Sequence, residues 1–291
     1  MNDDRLLELN NLGLIPGPSE AKEEFLLRVE YCLNLHSNWP DLIPSDDQII
    51  TIGEFSSHCL KKTKELFDIS PKWIPLFFSN YQLMAWHGGA AWIFQKDEES
   101  PTSAFFQLRR VFQKNQKYLR IYDRSELIAH EVSHVGRMMF EEPKFEELIA
   151  YRTSNSIFRR FFGSIVQSSK ESMIFVSLLF MTLSLDFYFI SFRYEEAFQS
   201  ALMLKLIPVG LFLYGCIRLW NRQRTFSKAL DNLKAICRFK EHAEAVIYRL
   251  TDQEIGLFSK LSKKQIAAYI HENKSKSLRM HLIALAYFEI K

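Results

Sequence analysis

Residues 126–151 read ELIAHEVSHVGRMMFEEPKFEELIAY. His130 and His134 stand in the first half of this stretch, and acidic residues gather in the second. On a helix, positions four apart share a face, so both imidazoles can reach one point. Asp123 precedes the stretch as a helix cap, with Glu126 three residues on, the spacing of a capping box. Gly136, two residues after the second histidine, predicts the close approach of a neighbouring element. Pro143 predicts a break and a fresh helix start. The second helix, KFEELIAY, then brings Glu146 and Glu147 back toward the first. Two short antiparallel helices, one with HxxxH and the other with a carboxylate, form a three-ligand metal site.

The residue between the histidines extends this chemistry. HEVSH is HExxH, with Glu131 directly after His130. Zinc takes neutral imidazole nitrogen, and three protein ligands leave a fourth position for water. Glu131 is placed to take the proton from that water as it attacks a carbonyl. Five letters alone are weak, since two surface or core histidines show the same pattern. The glycine, the proline and the carboxylate helix that follow set this instance apart.

Composition bounds the setting. The chain has 291 residues, 47% of them hydrophobic, enough for one large domain or two small ones. A net charge of +3, with no long basic block, argues against a nucleic-acid partner. Cys32, Cys59, Cys216 and Cys237 form no CxxC pair, which disfavours a zinc knuckle or a disulfide framework and fits a reducing compartment. The opening MNDDRLLELNN is acidic and polar, unlike a signal peptide.

Apolar residues concentrate in one place. SMIFVSLLFMTLSLDFYFISF (172–192) carries one charge, Asp186, and AFQSALMLKLIPVGLFLYGCI (197–217) carries one, Lys205. Each is about as long as a bilayer crossing requires, roughly twenty residues. RYEEAF between them leaves room only for a tight helical hairpin. Apolar residues cover every face rather than one stripe, against the alternative of a buried hairpin in a soluble protein. Arg152, Arg159, Arg160 and Lys170 precede the hairpin, and Arg218, Arg222, Arg224 and Lys228 follow it. The positive-inside rule therefore predicts a two-pass integral membrane protein with both termini and the histidine helix in the cytoplasm. The lipid bilayer is then one partner. Asp186 and Lys205 come to nearly the same depth in an antiparallel pair and are expected to meet.

Residues 1–66 form a helical region, with Ser19 ahead of a helix over SEAKEEFLLRVEYCLNL, a loop at NWPDLIPSDD and another helix over IGEFSSHCLKKTKELF. The aromatic run from residue 68 reads as irregular chain leading into a strand at GGAAWIF (88–94). SAFFQLRRVF and KYLRIYD are β-rich and predict a small antiparallel sheet. After the hairpin (172–220), residues 221–291 return to helix, with Thr251 and Glu254 as a capping box. The expected class is α+β, mostly helical.

HExxH with a glutamate on the next helix resembles the gluzincin class of zinc metallopeptidases. Within it, the membrane-bound HtpX and prenyl-protein (CAAX) peptidase group carries E-x-x-A-D on the ligand helix, and residues 147–151 read E-L-I-A-Y. The resemblance covers about residues 84–156 and implies a zincin-like catalytic region over 67–171. It implies zinc held by His130, His134 and Glu147, with Glu131 as base. Tyr151 stands where the group has an aspartate that orients a histidine. The hairpin follows the glutamate helix here, whereas in that group membrane spans lie between the two. Glu146, and Glu241 or Glu244 beyond the hairpin, are the other candidates for the third ligand. In gluzincins a strand beside the metal helix binds substrate by β-addition, and GGAAWIF is the candidate. His87, Arg137 and Tyr151 are candidate donors to a tetrahedral intermediate, with pairing to Glu141 or Glu142 as the alternative for the last two. The expected activity is hydrolysis of a membrane-proximal polypeptide. The alternative is a membrane-anchored scaffold without hydrolytic activity.

Overall fold

Helix caps set many of the element boundaries. Asn2 accepts from the Arg5 amide at the start of α1 (Asp3–Asn11). Helix α2 (Lys22–Asn34) begins after Ala21 rather than Ser19, because the Glu24 side chain reaches back to the Ala21 amide. The single helix expected over IGEFSSHCLKKTKELF is instead α3 (Ile52–Phe55), a 3-10 turn at Ser57–Leu60 and α4 (Lys61–Phe67). In the computed structural model, residues 1–35, 49–55, 57–97, 100–167 and 169–288 are described. The loop expected at residues 38–47 lies outside them.

The sheet is mixed, which corrects the antiparallel expectation. Strands β1 (Ile50–Thr51), β2 (Pro75–Phe78), β3 (Gly89–Phe94) and β4 (Ser103–Leu108) lie in the order β1-β2-β4-β3. Strand β4 pairs antiparallel with β3 and parallel with β2. All four residues of β2 are buried, so PLFF shows no alternation to betray a strand. KYLRIYD does not join this sheet. It closes on itself as the ribbon β5 (Lys117–Tyr118) and β6 (Tyr122–Asp123).

Ten helices complete the described chain: α5 (Arg124–Val135), α6 (Pro143–Ala150), α7 (Ile157–Phe162), α8 (Ser169–Ser191), α9 (Glu195–Ala201), α10 (Leu206–Lys234), α11 (His242–Tyr248), α12 (Asp252–Phe258), α13 (Lys263–Asn273) and α14 (Leu278–Tyr287). One hydrophobic core takes residues from Leu6 to Tyr287. Arg249 ties its two ends together, donating to Asn10 Oδ1 at 2.8 Å and to the Phe67 carbonyl at 2.8 Å.

Two segments, Lys170–Ser191 and Glu195–Lys234, are long and apolar enough to cross a membrane. Their side chains face outward: Phe180 is 72% exposed and Phe187 75%. Lys205 Nζ meets Asp186 Oδ2 at 2.8 Å, as the depth argument anticipated. Asp186→Ala leaves Lys205 without its partner, and in a hairpin that crosses a bilayer a lone charge costs about 2.5–3.5 kcal/mol on insertion scales. The expected result is a lower yield of folded protein in membranes, largely recovered by adding Lys205→Ala. A double variant as impaired as the two losses summed would contradict this pairing.

Helix α10 links the hairpin to the core without a break. Arg218 grips Glu171 of α8 through two bonds of 2.7 and 2.8 Å. One turn on, Arg222 donates to the Lys144 carbonyl, in the first turn of α6, at 3.0 Å. Beyond it Phe226, Leu230 and Leu233 are buried.

Candidate metal centre

Helix α5 starts where the Asp123 side chain accepts the Ser125 and Glu126 amides. The capping box is only half formed, because Glu126 turns away to Ser154 Oγ and to Arg159. The turn of chain after α5 depends on Gly136. A Cβ there would lie 2.2 Å from the Tyr248 hydroxyl, which donates to the Ser133 carbonyl at 2.7 Å. Helix α6 starts at Pro143 as the sequence indicated. Its first amides are capped from a distance by Asp252, which accepts from Lys144 and Phe145 at 2.9 and 3.2 Å.

With the two helices so fixed, His130, His134 and Glu147 converge. Their ligand atoms all lie within 4.8 Å of one another and could hold a metal ion. The two histidine Nε2 atoms are 3.4 Å apart. Glu147 carboxylate oxygens stand 3.7 Å from His130 Nε2 and 3.6 Å from His134 Nε2. In a tetrahedral shell, bonds of about 2.0–2.1 Å put neighbouring ligand atoms roughly 3.4 Å apart. The three residues therefore fit one ion of that size.

The far nitrogen of His134 is held in a way that frees the near one. His134 Nδ1 bonds Glu146 Oε1 at 3.0 Å, and Glu146 Oε2 accepts from Arg137 Nε at 2.7 Å. An acceptor at Nδ1 fixes the proton there and leaves the Nε2 lone pair for a metal. Glu146, which the sequence showed only as a competing ligand, holds His134 through Nδ1. Glu244 is engaged elsewhere, in an ion pair with Arg152.

Electrostatics describe a site short of positive charge. Burial, with the neighbouring His134, pushes His130 down to about 3. Burial also opposes charge on His134, but Glu146, Glu147 and Glu131 overcome it and lift His134 to about 9. Burial raises both Glu131 and Glu147 above the ordinary carboxylate range. Glu146 is buried too, yet Arg137 and His134 hold it below that range. Carboxylates crowded around a pair of imidazoles gain from a cation.

Glu131 touches the sheet. Its Oε2 accepts the Ala91 amide at 3.0 Å, tethering it to β3, the edge strand. A cleft of about 820 Å³ runs along that strand, lined by Ala91, Ile93 and Phe94 on one side and His130, Glu131 and Glu147 on the other. A smaller cavity of about 200 Å³ is also lined by His130 and Glu131, together with Trp86, Gly89, Tyr122 and Tyr151.

No protein-family model, curated protein or solved structure matches the chain.

The candidate donors separate. Arg137 is buried and spends its guanidinium on Glu146 and the Tyr248 and Leu250 carbonyls, not on Glu141 or Glu142. His87 lines the smaller cavity. Tyr151 packs edge-on against His130 at 4.6 Å between ring centres. Gly163 makes room for that ring, since a Cβ there would lie 2.4 Å from it. Among the described residues the Tyr151 hydroxyl enters no hydrogen bond, and burial, with Glu147 next, pushes it up to about 12.

The two glutamates predict different losses. Glu147→Ala should remove a ligand and abolish stable metal binding. Glu146→Gln should weaken affinity by about 10–100-fold, the usual effect of removing an orienting partner. Competition with a chromophoric chelator measures both, and the reverse order would exchange the two roles.

Proposed function

We propose that the chain is a membrane-anchored, zinc-dependent peptidase with a zincin-like site on the cytoplasmic side. One observation carries the reading. The two Nε2 atoms and the Glu147 carboxylate converge beside Glu131, at the wall of a cleft bordered by an edge strand.

His130, His134 and Glu147 would hold zinc, which would supply Lewis-acid chemistry there. Glu131 Oε2 is occupied by the Ala91 amide, so Oε1 receives the proton from the attacking water and passes it to the leaving amine. Outward-facing backbone groups of β3 pair with an extended polypeptide and lay its scissile bond across the site. The Tyr151 hydroxyl donates to the carbonyl oxygen as it becomes an oxyanion.

The test is hydrolysis of unstructured polypeptides by the purified full chain in lipid nanodiscs. Activity lost to 1,10-phenanthroline and restored by zinc supports the reading. A zinc-loaded protein that leaves every polypeptide intact, including membrane-tethered ones, sinks it. The orientation has its own test. A cysteine at Tyr194, in the hairpin turn, should be labelled by impermeant reagent from the side opposite a reporter fused after Lys291.

A further inference from the structure

Exposed apolar side chains are not confined to the hairpin. Met84 and Trp86, Leu119 and Ile121, and Ile157 and Phe158 are each between 54% and 77% exposed. They come from three separate parts of the chain, yet the structure ties those parts together. Tyr118 Oη donates to the Ala85 carbonyl at 2.5 Å, joining the 84–86 loop to the β5–β6 ribbon. Arg159 Nη1 donates to the Ile121 carbonyl at 3.0 Å, joining that ribbon to α7. Helix α7 is fastened in turn to α10, where Gln223 Nε2 donates to the Phe161 carbonyl at 2.7 Å. Gln223 follows closely on the apolar part of α10, so the patch is continuous with the foot of the hairpin.

Its free charge is basic. Lys114, Lys117, Arg120 and Arg160 are exposed around it, while the nearby acids are engaged, Asp123 as the cap of α5 and Glu126 with Arg159. The tip of the ribbon is also held in an unfavourable backbone state. Leu119 and Arg120 both have positive φ, 50° and 62°, where glycine or asparagine is the usual choice. An apolar and a basic side chain are thus projected outward at a conformational cost.

We infer that this face is a second membrane contact, seated in the headgroup region of an anionic leaflet beside the hairpin. Interfacial contact of this kind joins apolar side chains at the acyl boundary with basic ones at lipid phosphates. The smaller cavity next to His130 is lined by Trp86 and Arg159, so it opens at the bilayer surface. A polypeptide emerging from the membrane then enters the site from that end. The inference rests on the hairpin spanning the bilayer and deepens the proposed function by placing the substrate's origin.

Depth measurement tests it on the full chain with Cys216 and Cys237 changed to serine. Single cysteines replacing Leu119, Phe158, Phe180 and Asp231 carry a fluorophore, in liposomes of phosphatidylcholine with phosphatidylserine. Quenchers are doxyl groups on the lipid chains and iodide in the water. Labels at 119 and 158 should lose most of their emission to shallow doxyl lipid and little to iodide. That protection should shrink when phosphatidylserine is omitted. The label at 231, well beyond the foot of α10, should respond only to iodide. Full iodide quenching at 119 and 158 with lipid quenching at 180 overturns the seat and leaves the span standing. Iodide quenching at 180 as well overturns the span itself. Protection at 119 and 158 without lipid quenching assigns the face to a second copy or a protein partner and likewise overturns the inference.

Discussion

Glu131→Gln should lower peptide hydrolysis by about 10²–10⁴-fold, the usual contribution of a general base, while the metal stays bound. Glutamine is nearly the same shape and can still accept the Ala91 amide through its carbonyl oxygen, so the fold around β3 is kept. What it cannot do is take up the proton of the attacking water. Steady-state cleavage and metal content, measured on one preparation, separate the outcomes. Wild-type cleavage in Glu131→Gln would show that Glu131 is not the base. Loss of metal in the same variant would make Glu131 part of the binding site.

Arg137→Met should destabilise the protein by about 3–5 kcal/mol, the range for removing one partner of a buried ion pair. The Arg137 side chain is fully buried, with Nε on Glu146 and Nη1 on the Tyr248 and Leu250 carbonyls. Its loss leaves the buried Glu146 carboxylate with His134 as its one remaining partner and two carbonyls without a donor. Adding Glu146→Gln should recover part of the loss, because the under-compensated charge is gone while the carbonyls still lack a partner. Thermal unfolding of metal-free protein in nanodiscs measures this without contribution from the ion. An Arg137→Met variant as stable as wild type would show that Glu146 does not depend on it.

Much of the local architecture was legible because it follows from short-range rules. HExxH fixes its own geometry on any helix, Pro143 marks a helix start, and the small residue at Gly136 signals a close neighbour. The Asp186–Lys205 contact followed from counting residues on either side of a turn. Less legible were features decided by distant chain. Strand β2 is buried on both faces and shows no period, so the parallel β2–β4 pairing left no trace. Asp252 caps α6 from more than a hundred residues away. Glu126 had the right spacing for a capping box but found stronger partners in Ser154 and Arg159. The placement of Glu146 and Glu147 was half visible. The helix pattern pointed to Glu147 beside the histidines, while the contact of Glu146 with His134 Nδ1 and Arg137 depended on distant chain.

Elemental analysis of the purified full chain decides whether His130, His134 and Glu147 hold a metal ion. About one zinc per chain is expected, retained through gel filtration and lost when both histidines are changed to alanine. Well-folded protein that takes up no zinc, even when the ion is supplied in excess, would rule out the metal site.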